Sequence, residues 1–548
     1  MERKTVLATL VLAMFILVID TTIMNVSISA LIEEFNTDVA TVQAAITLYA
    51  LVMASFMITG GKIGDIIGRK KAFRIGLVIY GTGSFLTAVS PTMALLFIGW
   101  SILEGFGATL VMPAIQTLVT SNYSGKDRAL AYGIIGGIVA GAIALGPIIG
   151  GWLTTWYTWR LAFAGEVVIV IIVLILSRYI LDAPLETEER PKLDIIGTIF
   201  SALGVGLIVF GVLLAGVYGW WKARQPYYIG GVEISPLGLS PTPVFIFTGV
   251  IILLFFAFWE RHVISRGKMP LIRLDVLRDR GVTSGVFTQT VQTLLFGGFL
   301  FSMALFFQVA LGLNAIQTGF LYLPLSLPLL IASLAASRLS ARIAPKIIIQ
   351  AGLLILIAGL FLSIATINIE VRGPGLMTGF ALIGTGGGLI ASQVMNLVLS
   401  QVLPERTSET AALMSASQNL GMSLGTALMG SIVIAGLVTG ATALIDESTV
   451  IPEDLKPAVI SSVEENAQFL SDEELQAVLK GASPEVSQEI LRINENARIE
   501  GIKTSLWGLV IFAVVGLIVS IFLPPEILVS KKNEDQAHPD DLRKFDSS

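Results

Sequence analysis

The 548-residue chain has no cysteine and only two histidines. The first absence excludes disulfides, thiolate metal sites and cysteine nucleophiles. The histidines, His262 and His538, fall in a connecting segment and in the C-terminal tail. No imidazole is left inside an apolar segment, so a proton carrier there must be a carboxylate. Charge is scarce as well: 14% of residues are charged against 54% hydrophobic, and the mean hydropathy is +0.81, outside the range of water-soluble domains. No G-x4-G-K-[ST] phosphate loop occurs, and no polar segment is long enough for a nucleotide-binding domain, which removes nucleotide hydrolysis as an energy source. No nucleophile–base spacing is visible either. The chain is therefore expected to be no enzyme, to need no cofactor or metal, and to bind no nucleic acid.

What the chain has in abundance is apolar length. Crossing ~30 Å of hydrocarbon takes about 18 or more apolar residues as helix. Fourteen such stretches are read near 5–31, 42–60, 74–90, 93–120, 129–153, 160–181, 195–218, 243–259, 282–311, 316–337, 347–367, 373–402, 411–437 and 504–523. They are too long and too uniformly apolar for barrel strands. The expectation is an all-α polytopic membrane protein with 14 transmembrane helices. With both termini cytoplasmic, 26 of the 35 basic residues fall on the inner side, and five of the other nine lie in one long loop. The first run contains Asp20 and is too long for a signal core, so it is read as a span rather than a cleaved leader.

The chain also repeats itself. Gly61 to Lys70 is echoed by Ser337 to Lys346, and Gly141 to Gly151 by Gly421 to Gly430, at matching places in two six-helix sets. The organisation expected is an N-terminal six-helix half over 1–183 and an inserted helix pair with linkers over 184–281. The C-terminal half follows over 282–437 and 504–523. Between its last two spans lies an acidic extracytoplasmic loop over 438–503, and a polar cytoplasmic tail closes the chain over 524–548. Residues 441–503 hold 13 acidic and 5 basic residues, a net of −8, with helically spaced apolar positions. Two or three short amphipathic helices are expected there, starting near Ser471 and Ser483.

Two glycine-bearing stretches set what can move. Gly61, Gly64 and Gly68 let helix ends approach, while Asp65 and Arg69 are placed to pair with each other or with neighbouring helix ends. Lys70, Lys71 and Arg74 read as ordinary inner-side basic residues. In span 5, Gly141, Gly146, Pro147, Gly150 and Gly151 give a kinked helix with one bare side suited to tight packing.

These stretches, with Asp20 to Val26 in span 1, the Glu260–Arg280 linker and Phe307 to Pro324, resemble the major facilitator superfamily. Within it they are similar to the fourteen-helix drug:H+ antiporter family of quaternary-ammonium and multidrug efflux type. The resemblance covers essentially all spans and not the 438–503 loop. It implies two six-helix halves plus two inserted helices, alternating access, a conformational latch at Gly61–Lys71 and antiport through the Gly146–Gly151 stretch. The sequence departs from the family pattern in span 4, where Ser101 and Glu104 stand in the places of an arginine and a glutamine. In span 6, Glu166 stands where the family more often has asparagine.

Three carboxylates lie within hydrocarbon-length segments: Asp20, Glu104 and Glu166. A charge at a helix centre costs roughly 2.5–3.5 kcal/mol on insertion scales, so each is a functional candidate. Asp20 shares a helix arc with Met24 and Ser27. Glu166 follows Trp159 and Arg160 and is expected to meet Arg160 through an outer vestibule, or else to face water. Gln289, Gln292, Gln308, Gln393, Asn396, Gln418 and Asn419 are candidates for cavity lining or interhelical hydrogen bonds. The reading is a proton-coupled secondary antiporter in a prokaryotic plasma membrane, acting as a monomer on small amphiphilic, cationic organic molecules. Substrate would enter between the halves and compete with protons at Asp20 and Glu104. Rival readings are an exporter of a specific lipid, peptide or metabolite, and a non-transporting membrane sensor.

Overall fold

The computed structural model describes residues 2–123, 125–182, 193–224, 226–229, 232–233, 238–340, 342–368, 373–402, 407–465, 475–476 and 483–525. The chain is helical almost throughout. In hydrocarbon each backbone N–H and C=O must be satisfied within its own segment, and helices do that. The N-terminal half comprises α1 (Glu2–Val26), the short α2 (Ile28–Phe35), α3 (Val39–Ile67) and α4 (Arg69–Ala88). It continues with α5 (Met93–Leu96), which passes through a π-helical segment (Phe97–Glu104) into α6 (Gly105–Asn122), then α7 (Gly125–Trp156) and α8 (Arg160–Leu176). The inserted pair is α9 (Ile195–Tyr218) and α10 (Pro241–Ser265), joined through a small hairpin of β1 (Tyr228–Ile229) and β2 (Val232–Glu233). The C-terminal half holds α11 (Arg280–Leu305) with a π-helical end (Phe306–Ala310), α12 (Ala315–Leu321) and α13 (Leu323–Leu339). It ends with α14 (Pro345–Thr366), α15 (Pro374–Leu399), α16 (Thr407–Glu447), α17 (Lys456–Glu465) and α18 (Pro484–Ser520).

Among the described residues, eleven helices are long and apolar enough to cross a membrane, or twelve if α12 and α13, bent by 43°, form one span. That is fewer than the fourteen expected, although a helix lies over each of the fourteen stretches. α4 and α7 account for the difference. In α4 the cause is plain: Arg69, Lys70, Lys71 and Arg74 load its first turns with charge. The last expected span forms the end of α18, which begins at Pro484, with the Ser483 hydroxyl accepting from Val486 N at 3.4 Å. α16 likewise continues to Glu447, so the described part of the acidic 438–503 stretch is built largely from extensions of two long helices. The helix start expected near Ser471 and the tail beyond 525 lie outside the described residues.

The two halves pack by the same plan. The fifth membrane helix of each half lays glycines against the first helix of its own half. In α7, a Cβ at Gly146 would collide with Thr22 of α1, and one at Gly150 would stand 2.9 Å from Ile23. In α16, a Cβ at Gly421 or Gly425 would collide with Thr290 or Leu294 of α11. One more glycine in each then meets the second helix of the opposite half: Gly151 against Ala315 of α12, and Gly430 against Gln43 of α3. The sequence echo between spans 5 and 13 is this shared packing. α9 packs on α10 and also touches both α3 and α16.

Candidate functional site: a buried carboxylate cluster

Asp20, Glu104 and Glu166 come together. One oxygen of each lies within 4.8 Å of the others, and all three residues are buried, inside the N-terminal half. α1 supplies Asp20, the end of the π-helical segment supplies Glu104, and α8 supplies Glu166. α4 supplies the neutral donors around them. Ser84 Oγ donates to Glu166 Oε2 at 2.8 Å, and Tyr80 Oη donates to the same oxygen at 3.2 Å. Thr87 Oγ1 donates to Glu104 Oε1 at 3.2 Å. Trp100 Nε1 donates to both oxygens of Asp20, at 2.9 and 3.0 Å. The Trp100 indole stacks on Tyr49, with centroids 5.1 Å apart.

Local sequence explains why these groups meet. A π-helical turn places residues five apart in register, and such turns gather where side chains must be re-aimed. Gly83 and Gly99 let α4 and the π-helical segment touch: a Cβ at Gly83 would lie 2.7 Å from Glu104 Cγ. Ser101, standing where the resembled family has arginine, donates instead to the Ala45 carbonyl at 2.9 Å. The side-chain donors to the cluster, Tyr80, Ser84, Thr87 and Trp100, are all neutral. Two oxygens, Glu104 Oε2 and Glu166 Oε1, are buried without a hydrogen-bond partner. Three buried carboxylates with no basic side chain bonded to them among the described residues repel one another strongly unless protons or a small hard cation neutralise them. Carboxylate and hydroxyl oxygens at this spacing would suit either, since hard cations take all-oxygen shells.

Three details differ from the sequence reading. Glu166 does not meet Arg160, which pairs instead with Glu34 at 2.6 Å and lies over the Trp159 ring. Ser27 gives Asp20 no polar edge, because its hydroxyl is bonded to the Ile23 carbonyl and to Thr154. Nor does the cluster face an open chamber between the halves, where substrate was expected to compete directly; it is enclosed by α1, α4, the π-helical segment and α8.

The Gly61–Lys71 stretch forms the α3–α4 corner. Arg69 is buried, pairs with Asp65 and donates to the Gly61 carbonyl at 2.9 Å. Gly64 leaves room for it, since a Cβ there would stand 2.9 Å from Arg69 Nη1. Gly68 takes φ +98°, a conformation that favours glycine. Lys70 is more than a topological charge: its Nζ donates to the Arg178 and Ile180 carbonyls, and its N–H to Asp182. In span 5, Gly141 has open space around it, whereas Gly146, Gly150 and Gly151 are in close packing and the Pro147 carbonyl faces Gly319 of α12.

Of the amides singled out in the second half, Gln289 and Gln292 bond to each other at 3.1 Å, while Gln393, Asn396 and Asn419 bond within their own helices. Gln418 is exposed. Only Gln308 reaches across to the other half. Sequence reasoning passed over Gln43, which donates to the Thr426 and Ala427 carbonyls at 3.0 and 3.3 Å. It also passed over Trp100, whose signal is its place one turn before Glu104, since a buried indole N–H seeks an acceptor.

Comparison with known proteins agrees with this architecture. The chain is 28% identical to the puromycin resistance protein pur8 of Streptomyces alboniger, over 80% of this chain and 82% of that protein. It is 25% identical to the multidrug transporter protein MdtP of Bacillus subtilis, over 98% and 96% of the two chains. A bacterial homologue of the human lysosomal transporter Spinster, solved in an inward-facing conformation, shares the fold with a TM-score of 0.58 at 14% identity, covering 95% of this chain and 98% of that one. The family model for the Major Facilitator Superfamily matches residues 10–426. With two halves built on one packing plan and that match across most of its length, the chain belongs to the Major Facilitator Superfamily.

Proposed function

We propose that this transporter is a proton-coupled antiporter exporting amphiphilic, cationic organic compounds across a bacterial plasma membrane by alternating access. The observation that carries the reading is the gathering of Asp20, Glu104 and Glu166 in one buried cluster with only neutral donors. Such a cluster holds protons while closed and loses them once water or a cationic cargo reaches it. Cargo and proton then exclude one another through the charge of the cluster. The names of relatives support the cargo class, since they include puromycin resistance and multidrug transport proteins. Exchange of one proton for a monovalent cation is electrically silent and draws on the pH gradient alone, whereas two or more protons per cation also draw on the voltage, at about 2.3 kcal/mol per net charge per 100 mV.

The test is substrate-induced proton release from detergent-solubilised protein, using tetraphenylphosphonium or a quaternary ammonium dye. The unmutated protein acidifies the medium, Asp20→Asn does not, and Glu104→Gln and Glu166→Gln release less. No acidification from the unmutated protein with any lipophilic cation would count against the reading. The cluster's all-oxygen make-up favours one further reading, Na+ in place of H+. Substrate binding that depends on Na+ at constant pH would select it.

A further inference from the structure

The break between α1 and α2 is held open from the opposite half of the molecule. In an unbroken helix the Ser29 N–H would donate to the Asn25 carbonyl, four residues back. Here the Gln308 side chain stands between them. Its Oε1 accepts from Ser29 N at 3.0 Å and from Ser29 Oγ at 3.2 Å, and its Nε2 donates to the Asn25 carbonyl at 2.8 Å. Gln308 is buried in the π-helical end of α11, so its amide replaces a peptide group on both sides of the gap. Insertion of a side chain into the backbone ladder is one of few causes of a sharp helix break. The segment from Asn25 to Ser29 has neither proline nor glycine, and the Ser27 bond to the Ile23 carbonyl gives only a mild bend.

We propose that Gln308 is the outer-gate residue of the transport cycle. While the halves touch, its amide keeps α1 and α2 apart; when they part, it withdraws and the Ser29-to-Asn25 bond closes, fusing α1 and α2 into one helix. The proposal rests on the alternating-access reading and deepens it by naming the switch. Both arrangements satisfy Asn25 and Ser29, so opening strands no backbone group, and two discrete bonding patterns make the element bistable. Asp20 lies five residues before Asn25 on the same helix, so fusing or breaking α1 moves the segment that carries it.

The natural absence of cysteine supplies the assay. Ala315 is buried and packs against Gly151 across the two halves. As Ala315→Cys it becomes the sole thiol, and its reaction with a membrane-impermeant maleimide is timed on whole cells. Gln308→Ala is expected to raise the labelling rate at least about tenfold, the shift that goes with losing three neutral hydrogen bonds. Gln308→Met, which keeps the volume, is expected to do the same and serves if the alanine variant does not fold. Ser29→Pro removes the N–H and sets its ring against the Asn25 carbonyl, barring the fused helix. It is expected to slow labelling and to cancel the increase when combined with Gln308→Ala. An unchanged rate in Gln308 variants that are monodisperse after solubilisation overturns the proposal, as does an equal increase with and without Ser29→Pro. Labelling needs neither cargo nor proton gradient, so failure of proton exchange leaves this result readable on its own.

Discussion

The two halves share a frame and differ in chemistry. At the end of the first half, Lys70 in the opening turn of α4 donates its Nζ to the Ile180 carbonyl at 2.7 Å; in the second, Lys346 in the opening turn of α14 does the same to the Ile521 carbonyl at 2.6 Å. The glycine contacts of α7 and α16 match in the same way. Yet the first half buries Asp20, Glu104 and Glu166, whereas among the described residues the second half buries no acid. Where α1 carries Asp20, α11 carries Gln289 and Gln292, a neutral pair satisfied by each other. Duplication kept the hinges and the packing, and charge was placed on one side only. On the proposed antiport reading, one half would hold the chemistry and the other would be the lever that opens and closes over it.

Three matched sets of substitutions break or sharpen this contrast. The largest effect is expected from the acids. Asp20→Asn should reduce export of a lipophilic cation to background, while Gln292→Leu in the other half should leave most of it, both measured by dye efflux from energised cells. Equal losses would end the idea of a one-sided site. A middle effect is expected from the shared packing. Gly146→Ala and Gly425→Ala force a Cβ into Thr22 and Leu294 and should each cost about 1–3 kcal/mol of stability, as overpacked cores do. Gly141→Ala meets open space and should cost nothing comparable. Thermal unfolding midpoints in detergent report the difference. The smallest effect is expected from Lys70→Met and Lys346→Met. Each loses a lysine at a helix C-terminal end, worth about 0.3–1 kcal/mol, and the two midpoint shifts should match. Unequal shifts would mean that the corners do different jobs.

Much of this was legible beforehand because membrane helices are written in long runs. Hydropathy located a helix at each of fourteen stretches, and the spacing of small and basic residues revealed the repeat that Lys70 and Lys346 embody. The three intramembrane carboxylates stood out singly because charge in hydrocarbon is costly. That they form one cluster did not show, since Asp20, Glu104 and Glu166 are far apart in sequence and their meeting depends on the π-helical register of Phe97–Glu104. The Arg160–Glu34 pair was missed for a similar reason: the helix is interrupted at Ser27, a break that no proline or glycine announces. The Gln308 amide bonds to both sides of that break from far away in sequence, and local propensity carries no trace of it.

The inserted pair has a bearing on how a greasy molecule could approach. α9 touches α3 on one side and α16 on the other; Thr59 and Thr198 hydroxyls meet at 3.3 Å, and Ser431 donates to the Val212 carbonyl at 2.9 Å. α9 therefore lies along one of the two flanks where the halves adjoin, and α10 packs outside it. A hydrophobic compound drifting within the leaflet meets a wall on that flank. On the opposite flank α7 lies directly against α12 and α13, with Gly151 and Gly319 each in close contact across the halves, so that seam is closed by helix packing instead of by an added helix pair.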